Sequence, residues 1–128
     1  MTRFDLETTY LGLGGDGEVT LLPVGPDFWE GLDANPDLRP TLVSLSGGDG
    51  DWTSWEMHPE GKKILILLEG RLTLLVELAG VELRHDLAPG ATFIVPRGAW
   101  HRAVDQRSVK MLFITYGSGT THRPVTEA

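Results

Sequence analysis

Cysteine is absent from this chain of 128 residues. Disulfide bonds and thiolate metal sites are therefore excluded, together with redox chemistry at sulfur. Any metal ion that the protein binds must take its ligands from nitrogen and oxygen atoms, chiefly those of histidine and of carboxylates.

Positive charge is scarce as well. The chain has 11 lysines and arginines against 18 acidic residues, which gives a net charge of −7 at pH 7. No basic cluster and no basic amphipathic stretch is present, which argues against nucleic acids and anionic lipid surfaces as partners. We therefore expect the partner to be a small molecule.

Long hydrophobic runs are also lacking. The longest apolar run, "ILILL" at 64–68, is far shorter than the roughly 20 residues that a membrane-spanning helix needs. The first ten residues, "MTRFDLETTY", contain no apolar segment of the kind found in a signal peptide. We expect a soluble, cytoplasmic protein.

Glycine and proline, by contrast, are abundant, with 16 and 8 residues respectively. They interrupt the chain about every ten residues, a spacing that is typical of an all-β sandwich or barrel. The segments between them are rich in β-branched and apolar residues and are predicted to be strands. These segments are 18–24, 40–47, 52–58, 63–70, 71–78, 81–87, 91–96, 101–105 and 109–117.

Several connections can be assigned from the same pattern. The pairs "EG" at 69–70 and "AG" at 79–80 are predicted to be hairpin turns. The stretch "GLGGDG" at 12–17 lacks the residues of a phosphate loop and is interpreted as a hairpin or a flexible loop. Residues 26–32 are the one helical candidate, and the tail after "GSGTTHRP" is expected to be loosely tied.

Alternation along 52–58 separates polar from large apolar side chains. In a strand, Trp52, Ser54, Glu56 and His58 share one face, whereas Thr53, Trp55 and Met57 share the other. A carboxylate and an imidazole two residues apart would thus point in the same direction.

Two stretches resemble the paired signatures of the cupin superfamily. Their spacings are G-x5-H-x-H-x4-E-x6-G and G-x5-P-x-G-x2-H-x3-N, and this chain keeps every spacing. The matching positions are Gly50, Glu56, His58, Lys63 and Gly70 in the first signature, and Gly90, Pro96, Gly98, His101 and Asp105 in the second. The segments "SWEMHP", "LLEGRL", "VPRGAWH" and "GTTHRP" are also similar to those of compact single-domain bacterial cupins.

The resemblance implies a double-stranded antiparallel β-helix, or jelly-roll barrel. We expect a single domain over 1–128, with an N-terminal arm and strands at 1–39, the conserved barrel at 40–117 and a tail at 118–128. The resemblance does not identify a substrate, a reaction or a catalytic residue.

Cupins usually hold one divalent metal ion through the two histidines and the glutamate of the first signature and the histidine of the second. In this chain Glu56 replaces the first histidine and Lys63 replaces the glutamate, while His58 and His101 are kept. Glu56, His58 and His101 could still form a two-histidine, one-carboxylate site for iron, zinc, nickel or manganese.

The positive charge of Lys63 argues against a metal ion at this site. An ammonium about 4 Å from a divalent ion costs roughly 8 kcal/mol at an effective dielectric constant near 20. Lys63 must then turn toward the barrel mouth, lose its proton, or replace the metal. Its neighbour Lys62 leaves open which lysine points inward.

Three functions remain open at this point. One is a metal-dependent enzyme that uses Glu56, His58 and His101, with Trp52, Ser54, Glu56 and Lys63 in the ligand pocket. Another is a metal-free barrel that binds an anionic or carbonyl ligand, as a sensor or an acid–base isomerase. The third is a structural dimer without chemistry.

Two histidines lie outside the signatures, and two apolar segments remain without an assigned role. His85 and His122 match no motif position, so we interpret them as ordinary residues. The "ILILL" run and the face of Trp55 and Met57 carry more apolar surface than one small barrel can cover, which predicts a homodimer.

Overall fold

A computed structural model describes residues 2–34 and 40–126 of the chain. Nine strands and one short 3-10 turn, Leu32–Ala34, make up its regular structure within those residues. The strands are β1 Thr9–Leu13, β2 Val19–Pro23, β3 Thr41–Gly50, β4 Ser54–Met57, β5 Lys63–Leu78, β6 Val81–Leu87, β7 Thr92–Val95, β8 Trp100–Tyr116 and β9 Thr121–Pro124. No helix in this part of the chain is long and apolar enough to cross a membrane.

Every strand pairing is antiparallel, and β8 is the strand that connects the two halves of the fold. One path runs β2-β1-β3-β8-β4-β9, and β5 pairs with β6, β7 and β8. This arrangement confirms the predicted all-β, jelly-roll barrel. Because β8 pairs with β3, β4 and β5, side chains from four strands meet on its inner side.

The predicted hairpin turn at 69–70 is wrong. Residues 63–70 and 71–78 form one continuous strand, β5, whose pairing with β8 shifts register around Gly70. Gly70 has a φ of 84°, and a Cβ atom there would collide with the carbonyl oxygens of Arg107 and Ser108. The glycine therefore marks a bulge and a close approach of two backbones, not a turn.

A similar bulge joins two predicted strands, 101–105 and 109–117, into β8. Asp105 and Ser108 adopt positive φ values of 53° and 50°. Their backbone N–H groups donate to the carboxylates of Asp51 and Asp49 at 2.7 and 2.9 Å. These two side chains hold the irregular backbone so that β8 continues across the whole barrel.

The remaining local predictions have different outcomes. The turn at 79–80 and the hairpin at 12–17 are confirmed, the latter as the connection between β1 and β2. The helix expected at 26–32 does not form, since 26–31 are turns. Thr121–Pro124, within the predicted tail segment 118–128, forms β9 and pairs with β4. Of the residues after Pro124 that were expected to be loosely tied, 127–128 lie outside the described residues. The strand β1 was also not predicted.

The main apolar core lies inside the barrel and is built largely from the inner face of β5. Leu65, Leu67, Leu72, Leu74 and Val76 are all buried there. Trp55 is buried as well, against Leu75 and Val104 in a separate cluster. The Trp55 side chain is thus covered by its own chain, whereas Met57, on the same predicted face, is only half-buried.

Candidate functional site

Three side chains lie in one row across strands β8, β4 and β9. The register pairs Glu56 with His101 on one side and with His122 on the other. Nε2 of His101 lies 3.9 Å from Oε2 of Glu56, and Nε2 of His122 lies 3.4 Å from Oε1. The row places a carboxylate between two imidazoles because directly opposed residues of antiparallel strands share a face.

His58 follows β4 and reaches the same carboxylate from a third direction. Its backbone carbonyl accepts a hydrogen bond from the N–H of Gly98 at 3.0 Å, and its Nδ1 lies 3.0 Å from Oγ1 of Thr120. Its Nε2 is buried, has no hydrogen-bond partner among the described residues, and lies 4.0 Å from Oε2 of Glu56. A bare, buried nitrogen of this kind is a candidate ligand atom.

His101 is fully buried, and its surroundings fix its tautomer. Nδ1 lies 3.3 Å from the carbonyl oxygen of Ala99, which can only accept, so this nitrogen carries the proton. Nε2 therefore presents a lone pair toward Glu56 and Lys63. The ligand atoms of Glu56, His58 and His101 all lie within 4.8 Å of one another, a spacing at which they could hold a metal ion.

Lys63 points inward and places its ammonium in this group. Its side chain is 3% exposed, and Nζ lies 3.3 Å from Oε2 of Glu56 and 3.5 Å from Nε2 of His101. The same atom sits 4.0 Å from the centre of the Phe113 ring and 5.4 Å from that of Trp52. Lys62, the neighbouring lysine, is exposed. We call Glu56, His58, Lys63, His101 and His122 the polar cluster.

Burial and mutual charge shift the proton affinities inside the polar cluster. Burial raises the pKa of Glu56, but the positive charge of Lys63, with smaller contributions from the histidines, outweighs burial and brings this pKa below its usual value. Burial lowers the pKa of Lys63, which Glu56 opposes. Burial, assisted by Lys63, lowers the pKa of His58 to about 4 and that of His101 to about 3. At neutral pH the two buried imidazoles are therefore uncharged beside Glu56 and Lys63.

A cavity of about 600 Å³ opens onto the polar cluster. The four residues predicted to line a pocket, Trp52, Ser54, Glu56 and Lys63, all line this one, as does His58. His101 lies behind the wall without any exposed surface.

The sequence interpretation missed two residues at this site. His122 and Thr120 line the cavity from the C-terminal segment. The interpretation of His122 as an ordinary residue is wrong because that segment is a strand beside Glu56. The segment around His122 was assigned to the tail, so its pairing with β4 was not predicted from the sequence. His85 stays outside the cluster, with its ring 4.7 Å from that of Phe93.

Comparison with known proteins identifies the family. A family model described as "Cupin domain" matches residues 42–116. The chain belongs to the cupin family. Among curated protein sequences, none matches this cupin significantly.

Solved structures with a similar backbone agree with the family at the level of the fold. A cupin-2 domain protein from Shewanella frigidimarina is 20% identical over 62% of this chain and 72% of its own, with a TM-score of 0.47. Oxalate oxidase is 17% identical over 63% of this chain and 44% of its own, with a TM-score of 0.51. Oxalate decarboxylase from Bacillus subtilis, described with Mn(II) centres, is 14% identical over 67% and 24%, with a TM-score of 0.57. This cupin therefore spans less than half of either oxalate enzyme.

The cupin fold implies a divalent metal ion, for which Glu56, His58 and His101 are the candidate ligands. Two imidazole nitrogens, of His58 and His101, and a carboxylate are a suitable set for a divalent ion. The ammonium of Lys63, however, lies within 3.5 Å of two of these three atoms. The donor atoms fit a metal ion, but the charge already among them does not.

Proposed function

We propose that this protein is a small-molecule-binding cupin whose interior site works without a metal ion. One observation carries the proposal: Nζ of Lys63 lies 3.3 Å from Oε2 of Glu56 and 3.5 Å from Nε2 of His101. The ammonium thus takes the contacts that a divalent cation would otherwise make. The ligand would enter the cavity of about 600 Å³ that opens onto this pair.

Electrostatics supports the ammonium over a metal. A divalent ion about 4 Å from Nζ would be repelled by roughly 8 kcal/mol at an effective dielectric constant near 20. The Lys63 side chain is only 3% exposed and packs on Phe113, which holds its ammonium beside Glu56. The single negative charge of Glu56 balances the single positive charge of the Lys63 ammonium, whereas a divalent ion would need a second anionic ligand.

The site also offers a route for proton transfer. One oxygen of the Glu56 carboxylate contacts the ammonium of Lys63, and the other contacts the imidazole of His122. Lys63 could act as an acid and Glu56 as a base. His122 is 56% exposed and connects this group with the solvent. Such an arrangement suits acid–base chemistry on a bound molecule, as in an isomerase, as well as ligand sensing without reaction.

A metal-dependent enzyme is the second candidate, and the unpartnered Nε2 of His58 favours it. An ion such as zinc, iron, manganese or nickel would give this buried nitrogen a partner, with Glu56 and His101 as the other ligands. The metal would supply Lewis-acid or oxygen chemistry when bound. Lys63 would then have to be uncharged.

Metal analysis combined with ligand binding separates these candidates. The protein, purified without chelator, is expected to contain far less than one equivalent of transition metal. It should also bind its small-molecule ligand equally well with and without EDTA. Stoichiometric metal, or binding that EDTA abolishes, would favour the metal-dependent enzyme. No ligand binding in either condition would favour a protein with a structural role only.

We also propose a homodimer, for which the outer face of the sheet provides the support. The residues that alternate with the cavity-lining side chains point outward and form one apolar row across six strands. The row consists of Leu21, Leu11, Val43, Ile114, Ile64 and Ile94, each opposite the next. Ile94 and Leu21, at its two ends, are 57% and 40% exposed.

Light scattering at micromolar concentration tests the dimer. We expect about twice the 14.0 kDa mass of one chain. Ile94→Glu should reduce that mass toward one chain, because it places a charge on the row. Val81→Glu is the matched control, since Val81 is equally exposed at 59% but lies outside the row. A monomeric parent protein would refute the dimer.

A further inference from the structure

We propose that the cavity binds an uncharged polyhydroxylated molecule, of the sugar or polyol class, and discriminates against anions. This inference rests on the proposed function, because it names the ligand class of the same cavity. It departs from the anionic or carbonyl ligand that the sequence suggested for a metal-free barrel. Two features of the cavity wall carry it: the pairing of its charges and the number of its hydroxyl groups.

No lysine or arginine of the described wall is free to bind an anion, and the imidazole of His122 contacts Glu56. Lys63 is the one lysine or arginine among the described lining residues, and Glu56 already compensates it at 3.3 Å. The carboxylate of Asp51 also lines the cavity and is held by Arg102 at 3.6 Å and by the N–H of Asp105 at 2.7 Å. Glu30 adds a further, exposed carboxylate to the wall. An anionic ligand would meet an excess of negative charge here.

Hydroxyl groups form much of the remaining polar wall. Ser44, Ser46, Thr53, Ser54, Thr115 and Thr120 all line the cavity. The register of the sheet explains part of this set: Thr115 on β8 lies between Leu42 on β3 and Lys63 on β5, and Ser44 lies opposite Phe113. Each hydroxyl can donate and accept, which matches the dual character of ligand hydroxyl groups.

Aromatic rings supply the apolar part of the wall. Trp52 and Phe113 line the cavity with their rings 6.1 Å apart and nearly perpendicular, at 86°. Trp29 lines it from the N-terminal segment and is 56% exposed. Ring faces beside hydroxyls and carboxylates suit a ligand with C–H surfaces and hydroxyl edges. The volume of about 600 Å³ admits a molecule of monosaccharide size.

The test is a binding series in EDTA with defined probes: D-xylose, D-glucose and myo-inositol as neutral compounds, and oxalate and malonate as anions. Thermal unfolding is followed at matched ionic strength, and isothermal titration gives the affinity of each compound that shifts it. At ten times its dissociation constant, a compound that binds only the folded state should raise Tm by about 5 °C. We expect at least one neutral probe, and neither anion, to do so.

A variant pair localises that binding. Ser44→Ala with Thr115→Val should weaken the binding of the active neutral probe by about tenfold or more, since a site built for a ligand hydroxyl discriminates strongly. Thr92→Val is the control, because Thr92 is an exposed hydroxyl on β7 away from the cavity. An unchanged affinity in the double variant would overturn the proposed site.

The outcomes separate the two proposals. If oxalate or malonate binds and no neutral probe does, the ligand class is wrong while the small-molecule-binding cupin stands. If all five probes fail in EDTA but bind after metal is added, the metal-free function is wrong as well. If none of the five binds under either condition, the polyol assignment is rejected for this cavity.

Discussion

The barrel interior contains two regions that differ in how their side chains tolerate burial. The apolar core, around Leu67, Leu74 and Met111, is fully excluded from water and contains no group that needs a specific partner. The polar cluster is buried at Lys63 and His101, with 3% and 0% exposure, but it reaches the solvent at His122, and each of its groups depends on another. One strand, β5, supplies both regions from the same face. The core stabilises the barrel without chemical specificity, whereas the cluster keeps charge in the interior beside a cavity.

Low pH should destabilise the polar cluster and not the apolar core, and this is the largest difference that we expect between the two regions. The pKa values of His58 and His101 are about 4 and about 3 in the folded protein, below the ordinary value of 6.5. Between pH 6.5 and those values the unfolded chain binds more protons, so stability falls as the pH falls. Between pH 6.5 and pH 4 the shift of His101 alone corresponds to about 3 kcal/mol. Urea unfolding across pH 4 to 7.5 measures this slope.

Two variants show where the slope originates. His58→Gln combined with His101→Gln should flatten it, because the buried imidazoles are gone. Leu74→Ala should lower the stability by about 2–5 kcal/mol at every pH and leave the slope unchanged. A slope that survives the double glutamine variant would mean that other groups cause the acid sensitivity.

Removal of the ammonium should have the next largest effect. Lys63→Met keeps most of the side-chain volume but leaves Glu56 with no permanent positive charge beside it. We expect a loss of about 3 kcal/mol at pH 7, because one partner of a buried ion pair is left uncompensated. Adding Glu56→Gln should restore most of that loss. If Lys63→Met is as stable as the parent protein, the pair has no role in holding the cluster together.

The smallest effect concerns the contact that orients His58. Thr120→Val keeps the shape of the side chain but removes the Oγ1 that lies 3.0 Å from Nδ1. A loss of about 1 kcal/mol in the free energy of unfolding is expected, the usual value for one hydrogen bond. Thr126→Val, at an exposed position farther along the same C-terminal segment, should cost less. Equal losses in both variants would show that the His58 contact is unimportant.

The sequence predicted the fold and the inner residues well, because spacing and alternation are local properties. The alternation in 52–58 placed Ser54, Glu56 and His58 toward one cavity, and the two signatures placed His101 near them. It could not show that Gly70 is a bulge instead of a turn, since both need a positive φ. It also missed His122, whose role depends on the pairing of β9 with a strand far away in the sequence. The position of the Lys63 ammonium is likewise a tertiary property.

Zinc and manganese titration of the parent protein and of Lys63→Glu tests the central claim most directly. The substitution exchanges the ammonium beside Glu56 and His101 for a carboxylate, so it should favour a divalent ion by several kcal/mol after screening. We predict weak or no binding to the parent, tight binding to Lys63→Glu, and loss of that gain when His58→Ala and His101→Ala are added. Stoichiometric metal in the parent protein, with no gain in Lys63→Glu, would contradict the account, because Lys63 would then not stand in the place of a metal.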